Sequence, residues 1–248
     1  MNNKPIFSSL YHNSMKRFNN RLGNPFIKKK ELKIASEILK YLPIGGSILE
    51  IGCGEGTNYF FLKCQRKEIK YTGIDISDTG IKVLKTSFPE ANGVVCNGLK
   101  TDFEKNSFDT VLCRDYLHHV DSTRSEAVSE AIRLVKVNGC VLFFESNGDK
   151  LLNRIFRFFV SAEKGAKNST PEKLKKLLSQ YGNLSISYIE ASFLTRAVGF
   201  VVGWESSILN KIFAYPIYCI ASLIEKIITF LTPEKSYFYI LYVLRKNK

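Results

Sequence analysis

Ser47-Ile48-Leu49-Glu50-Ile51-Gly52-Cys53-Gly54-Glu55-Gly56 is the stretch on which the fold turns. Its first five residues form a short apolar run of the kind a buried strand carries. Three glycines at alternate positions follow at once, and they let the backbone turn sharply and come close to a ligand. The next segment, Asn58–Cys64, reads as a helix, whose N-terminus offers unpaired N–H groups to a negative group. Asp75 closes the following strand, Ile69–Asp75, nineteen residues after Gly56. An acidic residue at that place can accept from both hydroxyls of a ribose.

Working outward, Leu32, Ala35, Ile38, Leu39 and Leu42 recur at helical spacing over Lys28–Leu42, and Pro43, Gly45 and Gly46 stop that helix. Ser77–Phe88 reads as a helix, Gly93–Cys96 and Phe108–Cys113 as strands. Thr123–Lys136 is the clearest amphipathic helix, with Ala127, Val128, Ala131, Ile132, Leu134 and Val135 on one face. Thr123 and Glu126 predict a capping box at its start, and Asn138-Gly139 predict its end. Cys140–Phe144 reads as a strand, Thr170-Pro171-Glu172 as the start of a helix running to Tyr181, Leu184–Ile189 as a strand and Tyr237–Leu244 as the last one. Strands alternating with helices predict an α/β fold: a mostly parallel sheet covered on both faces. We read one domain. It comprises a basic, helical cap (1–46), a ligand-binding core (47–147), helices with a sixth strand (148–192), an apolar helical insertion (193–236) and a last strand (237–248).

The chain has 248 residues, 45% of them hydrophobic, and a formal net charge of +13, which suits an anionic partner such as nucleic acid, a phosphorylated substrate or an acidic membrane surface. Its six cysteines form no Cys-x-x-Cys pair and read as small buried hydrophobes of a reducing compartment. No spacing of Asp, Glu or His suggests a metal site. Residues 1–30 lack the apolar core of a secretory leader. The longest uncharged run near the C-terminus, Ile212–Ile224, has thirteen residues, short of the roughly 20 that a spanning helix needs. These features predict a cytoplasmic protein, with peripheral contact on the inner face of a membrane as the expectation for its apolar end.

The chain resembles the class I S-adenosylmethionine-dependent methyltransferases, in particular the broad group called methyltransferase type 11 or 12. The residues that carry the likeness are Ile48–Gly56, Gly73-Ile74-Asp75-Ile76-Ser77, Asn106–Val111, Leu117-His118-His119-Val120 and Ile132–Val141. The resemblance covers about residues 30–147 and implies a Rossmann-like sheet of seven strands, mostly parallel, with the last antiparallel. It implies S-adenosylmethionine as cofactor. Glu50, Gly52, Cys53, Gly54 and Gly56 would line its methionine end, Asp75 would hold the ribose and Ile76 would pack on the adenine. Where the family usually has an Asp for the adenine amino group, this chain has Asn97-Gly98, and Asn97 can still accept through its amide oxygen. Arg114-Asp115-Tyr116 should face the reaction centre at the carboxyl end of the fourth strand, with Arg114 bordering the cofactor. Asp115, His118, His119 and Glu145 are candidate bases or substrate contacts. The Asn-Pro-Pro-Tyr pattern of some amino-group methyltransferases is absent, and Cys113 lacks the preceding proline of a cytosine-C5 nucleophile.

Residues 193–231 include Phe200, Trp204, Ile208, Phe213, Tyr215, Ile217, Tyr218 and Ile220. They read either as a helical cap over the substrate pocket or as a surface dipping into a membrane. The expected reaction is methylation, at oxygen or carbon, of a small hydrophobic or lipid-linked acceptor. The alternatives are an RNA methyltransferase, suggested by the charge, and a non-catalytic cofactor-binding or membrane-docked interaction protein. No separate RNA-binding module is visible, which makes nucleic acid the weaker partner.

Overall fold

A computed structural model describes residues 4–150, 161–192, 194, 195, 198, 208–233 and 237–246. Among the described residues, seven strands form one sheet in the order β3-β2-β1-β4-β5-β7-β6. They are β1 Ser47–Ile51, β2 Lys70–Asp75, β3 Asn92–Val95, β4 Phe108–Arg114, β5 Val135–Ser146, β6 Asn183–Glu190 and β7 Tyr239–Arg245. The first five pair in parallel, and β7 runs antiparallel to both β5 and β6. The helices, numbered in chain order among the described elements, are α1 Lys4–Gly23, α2 Pro25–Leu39, α3 Thr57–Gln65, α4 Asp78–Ser87, α5 Arg124–Leu134, α6 Pro171–Leu178 and α7 Ile208–Leu231.

The period-two alternation of the strands splits the core between two faces. Ile48, Leu112, Leu142, Phe144, Leu241 and Val243 pack with α2, α3 and α4. Their neighbours Leu49, Val111, Val141, Phe143, Ile240 and Tyr242 pack with α5 and α6. Both sides of the sheet are therefore dry, as a parallel sheet requires. Because β1 and β4 lie side by side in mid-sheet, the order reverses there, and ligands in open α/β sheets bind at such a switch point.

Three local expectations are corrected. Thr123 makes no capping box: its hydroxyl turns back to the Val120 carbonyl within a short 3-10 turn, Asp121–Thr123, that precedes α5. Asn138-Gly139 do not end the helix, which stops at Leu134. They lie inside β5, where Asn138 takes φ +67° and the register with β4 shifts between Phe108 and Thr110. Gly139 is needed because a Cβ there would stand 2.6 Å from the Asp109 carbonyl oxygen. Of the six cysteines, Cys53, Cys113 and Cys140 are buried as expected, but Cys64 and Cys219 are exposed. The basic N-terminal cap is two helices, the first starting at Lys4. Phe200 and Trp204 lie outside the described residues, and the apolar insertion is described as a helix from Ile208.

Candidate active site

The glycine loop leaves β1 at the carboxyl edge of the sheet and delivers the chain into α3. Gly54 holds φ +52° and Gly56 φ +84°, backbone conformations that side chains rarely adopt. A Cβ on Gly56 would strike Leu84 of α4, whereas one on Gly54 would meet nothing within 4 Å, so the loop is packed from behind and open in front. Asp75, at the tip of β2, fixes it there. One carboxylate oxygen accepts the Gly54 N–H at 2.8 Å and the other the Ser77 N–H at 2.8 Å. A carboxylate oxygen has lone pairs to spare after one such bond, so Asp75 can hold the loop and accept from a ribose together. Ile76, the next residue, is 78% exposed, an apolar shelf beside that carboxylate.

These residues fit S-adenosylmethionine. The N-terminus of α3 has no side-chain cap, and the Thr57 hydroxyl beside it is buried without a hydrogen-bond partner. Unpaired donors at a helix N-terminus suit a carboxylate, and the methionine end of the cofactor carries one. Thr57 escaped the sequence reading. Its only local signal is its place, one residue beyond the last glycine. At the adenine end, Asn97 is exposed, and its side-chain oxygen accepts the Leu99 N–H. Gly98 lies against Ile51 and Tyr116, so close that a Cβ would stand 2.4 Å from Ile51. Cys53 is buried behind the loop, and burial pushes its thiol pKa up strongly, so it packs and does not react.

Beneath the loop runs a chain of polar contacts. Glu50, 1% exposed, accepts from Tyr71 Oη at 2.5 Å and from the Asn58 amide. Asn58 in turn accepts from Arg114, whose guanidinium forms a two-pronged pair with Glu31 of α2. Arg114 Nε donates to Tyr239 Oη at 3.0 Å, and that hydroxyl donates to Asp115 at 2.9 Å. The Arg114 side chain is only 10% exposed, so it braces α2, α3 and β7 against the end of β4. Burial opposes its charge, and Glu31 more than restores it. Burial pushes the Glu50 carboxyl up to about 7, against the pull of Tyr71 and Asn58.

The reaction edge follows β4. Asp115 takes φ +51°, and its side chain is 45% exposed. Desolvation raises the carboxyl, with Arg114 opposing. His118 and Glu145 come together, Nδ1 to Oε2 at 2.8 Å, while the other Glu145 oxygen accepts the Leu117 N–H at 2.7 Å. His119 is exposed and its ring lies 4.1 Å from that of His118. The structure thus gathers the glycine loop, Asp75 and Ile76 at one end of the edge, and Asp115, His118, His119 and Glu145 after β4 and β5.

Residues 49–143 match the family profile described as a methyltransferase domain. A tRNA (carboxymethyluridine(34)-5-O)-methyltransferase of Schizosaccharomyces pombe is 31% identical over 117 residues, 46% of this chain and 48% of that protein. A ubiquinone biosynthesis O-methyltransferase of Nitrosomonas europaea is 27% identical over 188 residues, 69% of this chain and 74% of that protein. Among solved structures, phosphoethanolamine N-methyltransferase 2 of Haemonchus contortus, in complex with S-adenosyl-L-methionine, superposes with a TM-score of 0.63 at 17% identity. That match covers 94% of this chain and 57% of the other. The chain therefore spans about half the length of some of the proteins it matches.

Two substitutions test the seat. Thr57→Val removes a buried hydroxyl that has no protein partner, so the ligand-free protein should be as stable as wild type or slightly more so, while cofactor affinity by calorimetry falls about tenfold. A loss of stability with unchanged affinity would assign Thr57 to the fold alone. For Glu50, the folded pKa near 7 lies above the ordinary 4.5. Its contribution is full below pH 4.5 and lost as pH rises through 7, about 3 kcal/mol in all. Urea unfolding of Glu50→Gln should show the variant gaining on wild type by about that amount between pH 4.5 and pH 8, and a constant difference would refute the assignment. The ordered motifs, the seven-stranded sheet and the match of residues 49–143 to the methyltransferase-domain profile together support a class I S-adenosylmethionine-dependent methyltransferase domain.

Proposed function

We propose that this protein transfers a methyl group from S-adenosylmethionine to an oxygen or carbon of a small apolar or lipid-linked acceptor. The observation that carries the reading is the glycine loop, Asp75, Ile76 and Thr57 sharing the sheet edge with the His118–Glu145 pair. The sulfonium supplies an activated methyl group, so the protein's main task is alignment, from which up to roughly 7–11 kcal/mol of barrier lowering can come. A hydroxyl acceptor must also lose a proton. His118 is the group for this. A ring proton on Nδ1, donated to Glu145 at 2.8 Å, would make Nε2 the basic nitrogen and let the carboxyl group offset charge forming on the ring. Support for oxygen as the acceptor atom comes from the Nitrosomonas europaea relative, an O-methyltransferase of ubiquinone biosynthesis. RNA is the second reading, favoured by the net charge of +13 and by the Schizosaccharomyces pombe relative, a tRNA methyltransferase.

Incubation of the protein with methyl-labelled cofactor and a cell extract, then separated into lipid, RNA and small-molecule fractions, decides between them. Label in lipid or in apolar small molecules is the expected result. Label in RNA would install the second reading. Bound cofactor with no label in any fraction would leave a non-catalytic binding protein. Once the acceptor is in hand, His118→Gln should lower kcat about a hundredfold or more with cofactor affinity unchanged, Glu145→Gln should act in the same direction, and His119→Gln should retain most activity. Retained turnover in His118→Gln would remove it from the proton transfer.

A further inference from the structure

Helix α7 has its polarity inverted for a helix on the surface of a water-soluble domain. One stripe, at i, i+4, i+7 and i+11, faces the body. Ala214 and Ala221 are buried, Tyr218 meets Phe26 of α2 edge-on at 5.0 Å, and Glu225 accepts from Lys30 of α2 at 2.6 Å. The opposite side is apolar and uncovered. Ile212, Ile217, Ile220, Leu223, Ile224, Ile227, Phe230 and Leu231 are between 39% and 88% exposed, with Phe230 the most exposed of them. From Ile217 onward they recur at steps of three and four residues, and with Ile212 they fall on one side of a 24-residue helix about 36 Å long. Isolated exposed apolar residues are ordinary, but a strip of this length marks an interaction surface.

We propose that this strip seats the protein on an anionic lipid bilayer, with α7 lying in the plane of the interface. The charge distribution selects the occupant. Residues 1–30 contain seven Lys or Arg and no Asp or Glu, so seven of the thirteen excess positive charges fall in them. The tie between that basic region and α7 is α2 itself, which presents exposed Lys28 and Lys29 between Phe26 and Lys30, both of which touch α7. An apolar strip on a helix packed against a lysine-bearing one matches the acyl boundary and headgroup layer of an anionic membrane, where each basic residue near the surface contributes about 1 kcal/mol. A symmetric pairing of two copies through the same strip would bring two lysine-rich flanks together, and RNA has no use for an aliphatic strip. The helix rests on the membrane and does not cross it. Glu225 and Lys226 interrupt its apolar sequence, and among the described residues no helix is long and apolar enough to span. The inference stands on binding alone and does not require the proposed acceptor.

The test is co-sedimentation of the full chain with vesicles of phosphatidylcholine, with and without phosphatidylglycerol. Wild type should pellet with the anionic vesicles and lose binding as salt rises. Combined Ile220→Ser, Leu223→Ser, Ile227→Ser and Phe230→Ser, all at exposed positions, should weaken binding roughly a hundredfold while cofactor affinity and the unfolding transition stay at wild-type values. Lys28→Glu with Lys29→Glu should abolish the preference for anionic vesicles. Wild type left in the supernatant with both vesicle types would overturn the proposal. So would a serine variant that binds vesicles as wild type does, or a self-associated wild type that the serine variant dissolves into monomers without any vesicle binding.

Discussion

The Arg114 guanidinium is the contact on which the site depends. It is nearly buried, which alone would cost several kcal/mol, and it is tolerable only because Glu31 meets it with both oxygens and Asn58 and Tyr239 take further N–H groups. These partners come from α2, α3 and β7, which are remote in sequence and converge at the end of β4. Through Asn58 the brace reaches Glu50, at the foot of the glycine loop, and through Tyr239 it reaches Asp115, on the reaction side. One charge thus couples the seat of the cofactor to the edge where an acceptor would lie. Loss of either member of such a buried pair costs more than the pair contributes, because the survivor stays buried and unpaired. That asymmetry keeps the two halves of the edge in register.

What could be read from the sequence is what depends on neighbours along the chain. The apolar runs of β1 and β4 and the glycine loop between strand and helix are local signals, and so is Asp75 at the tip of β2. All stand where they were expected. The brace was not legible. Glu31 and Arg114 lie 83 residues apart, and Tyr239 and Asp115 lie 124 apart. No spacing rule joins residues that only the closed sheet brings together, so nothing in the sequence paired Arg114 with Glu31 or Tyr239 with Asp115. Two helix boundaries were misplaced. Thr123 and Glu126 have the spacing of a cap and Asn138-Gly139 the look of a terminator, but a local turn decided the first and tertiary contact the second. Thr123 was taken by a preceding turn, and Gly139 was required by the close passage of β4.

The apolar C-terminal region poses the same problem in reverse. Its composition signalled a helix and an interface, yet only the packing of Ala214, Tyr218, Ala221 and Glu225 against the body shows which face is spent and which remains. A helix held by Ala214, Ala221 and the Lys30–Glu225 pair, with its bulky residues outward, is the ground for the proposed bilayer contact. The two proposals support each other chemically but rest on separate residues, so either can fail alone.

The central claim is that the loop at Gly52–Gly56, held by Asp75, is a seat for S-adenosylmethionine. Calorimetric titration of the full chain with S-adenosylhomocysteine tests it most directly, since the product-like ligand binds without turnover. Saturable binding of one ligand per chain is expected, lost or strongly weakened in Asp75→Ala. No heat of binding to wild type at millimolar ligand, or equal affinity in Asp75→Ala, would contradict it.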